Sequence, residues 1–239
     1  MNNQKKKLGL IQSRGLGDLI IALPIAHYYH KEGWEIYWPI VDSFVPSMQG
    51  AAPWVKWIPV PADSGAFFYD IPMQRLKNFK CDEIICLYQA LTGHPEFSAE
   101  KYFPYTKFDQ YKYIKAGVPF LNKWKLKECI SRDQDREQEL YNKLVTNENY
   151  VVVHRKGSDF AVDVDLSIVP EGWQIIEITE QTDCIFDWLT ILEKAQSLIL
   201  VDSVFANLVD QLNIGDDRYF IQRSHIGLTP VQGQHWTWL

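Results

Sequence analysis

Short apolar runs alternate with longer stretches of helical periodicity along the 239 residues. KLGLIQS (7–13) reads as a first buried strand, and residues 17–31 read as a helix. Pro24 is expected to kink that helix, because it cannot donate to the carbonyl of Ile20. WEIYWPIV (34–41) is rich in β-formers, and Pro39 marks it as an edge strand or a strand end. WVKWIPVP (54–61) is a further short strand stopped by prolines, and CDEIICLY (81–88) is a strand ending near the loop QALTGHPEF. A Tyr- and Lys-rich helix is expected over roughly 98–116, followed by a polar helix over 132–145.

The pattern then restarts. YVVVHRKGSD (150–159) is the clearest buried strand, with an abrupt polar end. GWQIIEIT (172–179), SLILVDS (197–203) and RYFIQR (218–223) are strands. DCIFDWLTILEKAQ (183–196) places Ile185, Trp188, Leu189 and Leu192 on one helical face, with Asp183 as its N-cap. VFANLVDQLN (204–213) carries Val204, Phe205, Leu208, Val209 and Leu212 on one stripe. Strands alternating with helices predict an α/β fold with parallel sheets. The restart near residue 145 predicts two Rossmann-like lobes, assigned as 1–130 and 131–239. Neither short-period repeats nor low-complexity tracts interrupt them.

Composition adds a sizeable core: 46% of residues are hydrophobic and nine are Trp. The Trp content suits bulky cores better than stacking surfaces. Disorder is excluded by that hydrophobicity. No apolar run approaches the ~20 residues of a membrane span, and MNNQKKKLGLIQ lacks the features of a secretory leader, so a cytoplasmic location is expected. Cys81, Cys86, Cys129 and Cys184 lack zinc-site spacing and read as ordinary thiols. Net charge is −6 but unevenly spread. Residues 1–130 hold 16 basic and 12 acidic residues, and 131–239 hold 8 and 18. A basic first half suits an anionic partner; chance imbalance on a solvated surface explains it equally well.

In open α/β sheets, ligands bind beyond the carboxyl ends of the strands. Three such loops carry ligand-like residues. In SRGLGDL, Gly15 and Gly17 permit tight turns and close backbone approach, and the amides of the following helix suit an anion. Ile20 stands where a dinucleotide fingerprint needs its third glycine, and no Gly-Lys-Ser/Thr follows for a P-loop. Asp18 suits either a helix cap favoured by the dipole or a chemical role. In HRKGSD, Arg155 and Lys156 offer a fork and a compact charge to a diphosphate, or form a solvated basic turn. In VDSVFANL, Asp202 ends a strand and Ser203 is a natural N-cap, again a phosphate-type position.

Together, GLGDLIIALPIA and VDSVFANLVDQL resemble glycosyltransferase family 9, the heptosyltransferase-like enzymes. The family opens with a strand, a Gly-Asp turn and a proline-containing helix, and later carries an Asp-Ser/Thr-Gly-x-x-His segment. The stretch EITEQTDCIFDWLTILEKAQSLILVDS keeps the family layout, with Asp187 where Glu is frequent. The resemblance covers the first ~30 residues and about 150–213; the middle does not match. It implies a GT-B fold, two lobes facing a cleft, with acceptor bound by the first and nucleotide-sugar donor by the second. It also implies metal-independent, inverting transfer with no cofactor beyond the sugar nucleotide. Asp18 would be the general base. Gly15, Gly17, Arg155, Lys156, Asp202, Ser203, Val204, Phe205 and Asn207 would serve the donor, and Arg14 and His94 the acceptor. Val204 replaces the family's Gly and Asn207 its His, so Asn207 can donate a hydrogen bond but carries no charge, and ADP-heptose does not follow as the donor.

Two other classes fit the same residues: a non-catalytic sugar- or nucleotide-binding protein, and a GT-B-type sugar-nucleotide epimerase. Stable nucleic-acid binding is not expected from a negatively charged chain. KYFPYTKFDQYKYIKAGVPFLNKWKLK (101–127) mixes Lys with aromatics; it suits an acceptor surface, or more simply a helix face with snorkelling lysines. His154 is expected to support a strand end. The tail HIGLTPVQGQHWTWL, with His225 and His235, is expected to pack back on the first lobe.

Overall fold

A computed structural model of the chain describes residues 5–62, 65–91, 93–97, 105–157, 161–222, 229–233 and 235–239. The chain forms two compact units, Met1–Ser131 and Arg132–Leu239. Each is built on one all-parallel sheet, so the fold class is α/β.

The first sheet contains β1 (Lys7–Ile11), β2 (Glu35–Val41), β3 (Lys56–Val60) and β4 (Glu83–Cys86), in the order β3-β2-β1-β4. Parallel strands covered on both faces must be apolar throughout. Leu8, Leu10 and Ile11 of β1 are accordingly buried, as are Ile36, Trp38 and Ile40 of β2. Helix α1 (Leu16–Lys31) buries an unbroken run from Leu19 to Ala26. It runs through Pro24, as the 17–31 assignment expects, and the neighbouring Ile21 carbonyl accepts the Tyr113 hydroxyl at 2.9 Å.

Pro39 does not mark an edge: β2 lies between β3 and β1. The parity of the ladder explains why. Glu35 and Val41 turn their amides towards β1, donating to the carbonyls of Lys6 and Ser13. Pro39 shares that parity, and its pairing with Ile58 on the β3 side stays in register. The regular register to β1 ends at Tyr37, so the missing N–H falls where the ladder lapses.

Short helices α2 (Val45–Ala51) and α3 (Asp70–Asn78) connect the strands. The predicted 98–116 helix appears as α4 (Phe108–Lys115), with residues 98–104 outside the described set. A 3₁₀ turn over Phe120–Lys125 and α5 (Leu126–Cys129) complete the unit. The lysines here do not all snorkel. Lys123 and Asp109, both 0% exposed, form an ion pair at 2.9 Å, and Lys112 is also buried. Burial pushes the thiols of Cys81 and Cys86 up to about 11 and that of Cys129 to about 12, so these three are inert at neutral pH.

The second unit opens with α6 (Gln134–Leu144) and arranges β5 (Tyr150–His154), β6 (Gln174–Glu177), β7 (Ser197–Val201), β8 (Asp217–Ile221) and β9 (Thr237–Trp238) in the order β6-β5-β7-β8-β9. The predicted 183–196 helix is a 3₁₀ turn over Ile185–Trp188 followed by α7 (Leu189–Lys194). Asp183 is not its cap. Its carboxylate instead joins Arg136, which also grips the buried Asp187 through Nε and Nη2, at 3.1 and 2.7 Å. This fork fastens α6 to the 3₁₀ turn.

Helix α8 (Val204–Leu212) follows β7. The tail belongs to the second sheet rather than the first lobe. β9 runs parallel to β8, and Trp236 and Trp238 pack on Phe220. Asp210 of α8 accepts the Gly233 amide at 2.6 Å and the Trp236 indole at 2.9 Å. His225 falls outside the described residues. No helix among the described residues is long and apolar enough to cross a membrane.

His154 ends β5 with its ring against Phe205 of α8 and its Nδ1 2.9 Å from the Ser203 hydroxyl. Burial lowers its pKa to about 4. Between pH 4 and 6.5 the unfolded chain therefore binds a proton that the native state refuses. This contribution is complete above about pH 6.5 and is lost as pH falls towards 4, by about 3 kcal/mol in all. Chemical denaturation of His154→Phe across that range should show a correspondingly flatter pH dependence than the parent.

Candidate active site

The turn from β1 into α1 is built by a closed hydrogen-bond set. The Tyr88 hydroxyl, just beyond β4, accepts the amides of Ser13 and Arg14 at 3.0 and 3.1 Å. The Ser13 hydroxyl donates to the Phe67 carbonyl at 2.6 Å. Tyr88 must then send its own proton to Ser13 Oγ, 3.1 Å away. Burial pushes the Tyr88 phenol up, so it remains a neutral donor.

Gly15 sits at the mouth of α1 with φ +84°. A Cβ there would meet Asp18 Oδ2 at 2.4 Å. The positive φ requires glycine, and a Cβ would also press on the end of the Asp18 side chain. Gly17 has no such demand; it lies within the first helical turn.

Asp18, in that same first turn, makes its ion pair with Lys112 of α4, Nζ to Oδ1 at 3.0 Å. It is therefore more than a dipole-favoured cap residue. The side chains of the two groups are 34% and 4% exposed, respectively, so the carboxylate faces solvent while the ammonium does not. Lys112 also donates to Gln12 Oε1 at 2.6 Å and to the Leu87 carbonyl at 3.3 Å. Gln12 is itself held, its amide nitrogen donating to the Arg14 carbonyl at 2.8 Å.

Beside this turn lies an aromatic patch. The Arg14 guanidinium sits over the rings of Phe67 and Phe68, at 5.5 and 5.9 Å, and Phe68 meets Tyr88 edge-on. Tyr69 packs against His94 at 4.4 Å, with His94 flanked by Glu96 and Asp70. Both acceptor candidates thus border the loops that follow β3 and β4.

In the second unit, Ser203 occupies the N-cap position of α8 but makes no side-chain cap bond, because its hydroxyl is engaged with His154. The first amides of α8, including those of Val204 and Phe205, have no acceptor within the helix and carry its positive dipole end. Asn207 is turned back on its own helix, donating to the Ser203 carbonyl at 3.0 Å, while its buried Oδ1 has no hydrogen-bond partner among the described residues. Asp202 is buried, and its backbone amide reaches the Ile221 carbonyl.

Where the HRKGSD segment leaves β5, Lys156 bridges Ala161, and the Val162 amide donates to the Arg155 carbonyl. Arg155 is drawn to carboxylates, Asp163 at 3.3 Å and Glu177 at 3.7 Å. Both carboxylates are exposed, and the Arg155 Nε is buried without a hydrogen-bond partner among the described residues. Lys156 is exposed, and among the described residues it has no ion pair. Asp159 lies outside those residues.

No family model matches the sequence, and no curated protein is significantly similar to it. Solved structures are similar over the whole chain. A glycosyl transferase family 9 protein from Veillonella parvula aligns with a TM-score of 0.64 at 14% identity, over 100% of this chain and 88% of its own. The E. coli heptosyltransferase WaaC, solved with ADP, gives 0.55 at 13%, over 97% and 92%. The dodecameric iron-containing heptosyltransferase TibC, in complex with ADP-D-β-D-heptose, gives 0.53 at 10%, over 98% of this chain and 62% of that one. At these identities the shared property is the fold: the chain resembles family 9 glycosyltransferases and has their GT-B-like α/β architecture of two parallel-sheet units.

Proposed function

We propose that this protein is a glycosyltransferase that moves a sugar from a nucleoside-diphosphate donor to an acceptor hydroxyl with inversion, and that Asp18 is its general base. The observation that supports this most is the Asp18 carboxylate, partly exposed at the carboxyl end of β1 and held by a buried ammonium. In the reaction, the acceptor oxygen forms a bond to the anomeric carbon as its proton passes to the carboxylate. The bond from that carbon to the diphosphate oxygen breaks, and the electron pair leaves with the nucleoside diphosphate. A positioned base of this kind contributes ~10²–10⁴-fold in rate.

The second unit supplies groups for the departing diphosphate: the first amides of α8, the Ser203 hydroxyl and the Lys156 ammonium. These offer charge compensation from the chain itself, in keeping with metal-independent transfer. Asp202 remains with this donor set. Asn207 contributes less than its position in sequence implies, since a backbone carbonyl already engages its amide, whereas Arg155, paired only with exposed carboxylates, stays with the donor set. Arg14, over its two rings, and His94 are assigned to the acceptor, for which the basic first half favours an anionic partner.

The complexes of WaaC and TibC with ADP and ADP-heptose make ADP-sugars the first donors to try, alongside UDP- and GDP-sugars. In a thermal-shift screen, a nucleotide at a hundredfold its dissociation constant should stabilise the protein by ~2.7 kcal/mol. Lys156→Ala with Ser203→Ala should shrink that shift. A screen in which no nucleotide raises the melting temperature would remove the donor site.

Asp18→Asn should lower nucleoside diphosphate release in the presence of acceptor by ~10²–10⁴-fold and leave donor affinity within about twofold. Loss of donor affinity together with turnover would instead make Asp18 structural. Turnover should persist in EDTA. Binding without transfer or hydrolysis would identify a non-catalytic binding protein, and sugar-nucleotide conversion without acceptor an epimerase.

A further inference from the structure

The middle of the chain, which carries no recognisable motif, supplies the group that fixes the proposed base. We infer that Lys112 is a positioning residue for Asp18, holding Oδ1 so that Oδ2 is the oxygen presented to the acceptor hydroxyl. The inference rests on the assignment of Asp18 as base.

Three observations carry it. The Lys112 ammonium is buried and meets three oxygens, Gln12 Oε1, the Leu87 carbonyl and Asp18 Oδ1, one for each of its protons. Two of these acceptors, Gln12 and Leu87, immediately follow β1 and β4. The ammonium is therefore fixed relative to the sheet and not merely to the flexible end of a side chain. Asp18 Oδ2 lies over Gly15, where no Cβ competes for its position. One carboxylate oxygen is thus bound and the other is held over a glycine, a geometry that selects a single proton acceptor. A surface ion pair would not do this, because two exposed side chains retain their rotamer freedom.

The test is a double-mutant cycle on nucleoside diphosphate release with the ADP-, UDP- and GDP-sugar panel. Lys112→Met should lower kcat ~10–100-fold with donor KM within about twofold, the scale expected when a reacting group is misplaced by about an ångström. Combined with Asp18→Asn, it should cause no further loss, because its effect passes through that carboxylate. Removing a buried ammonium lowers stability, so Lys112→Gln, which keeps a donor, is measured in parallel at a temperature where both variants are folded. An intermediate kcat is expected for it.

An unchanged kcat in both variants overturns the inference. So does an equal fold-loss in the parent and Asp18→Asn backgrounds, the signature of a purely structural role. Failure of the base assignment is distinguished separately: Asp18→Asn then retains parental turnover whatever residue stands at position 112. Absence of turnover with every donor overturns both.

Discussion

A charged amine taken out of water must find oxygen for each of its protons, and Lys112 finds them on three parts of the first unit at once. The loop after β1, the loop after β4 and the first turn of α1 are thereby fixed to one point. Tyr88 fastens the same turn from the other side through the amides of Ser13 and Arg14. Trp38 adds a third hold, its indole donating to the Gln12 carbonyl at 3.1 Å. The turn that leads to Asp18 is therefore tied at several points to the sheet beneath it, although loops at strand ends are ordinarily the freer parts of a fold.

The second unit reaches order at its strand ends by a different route. Its key group, His154, is uncharged, and the Ser203 hydroxyl that would otherwise cap α8 is directed to it. That leaves the helix amides available, whereas a capped helix would have consumed one of them. The cost of an uncapped N-terminus is about 1 kcal/mol, and a phosphate-bearing ligand is the type of group that recovers it. The same residues thus explain both a local weakness of the helix and its suitability for an anion.

How much of this was legible beforehand follows from the range of the interactions. Runs such as KLGLI and YVVVH declare themselves as buried parallel strands because burial on both faces leaves no polar alternation. The turn chemistry around Gly15 and the place of Asp18 were equally readable, being local. Pro39 misled because its tolerance depends on where β1 lapses, which only the assembled ladder shows. Asp183 looked like a cap until Arg136, from a helix far along the chain, claimed it. Lys112 was hidden among similar lysines in a Tyr-rich stretch; it turns inward to Gln12 and Asp18, and Lys123 to Asp109, partners that periodicity does not reveal. The short helices α2 and α3 were missed because their few turns give too little periodicity to read.

The tail shows how a small segment alters the character of a whole sheet. Without β9, the backbone groups along one side of β8 would face outward as an unpaired row, the template on which strands of other molecules add. With Thr237 and Trp238 paired to Tyr219 and Phe220, and the Leu239 amide bonded to the Phe220 carbonyl, the later part of that row is occupied by the chain itself. The replacement edge is only two residues long, too short to recruit a partner strand efficiently. The Asp210 contacts to Gly233 and Trp236 are then a safeguard against edge-to-edge aggregation as much as a detail of packing.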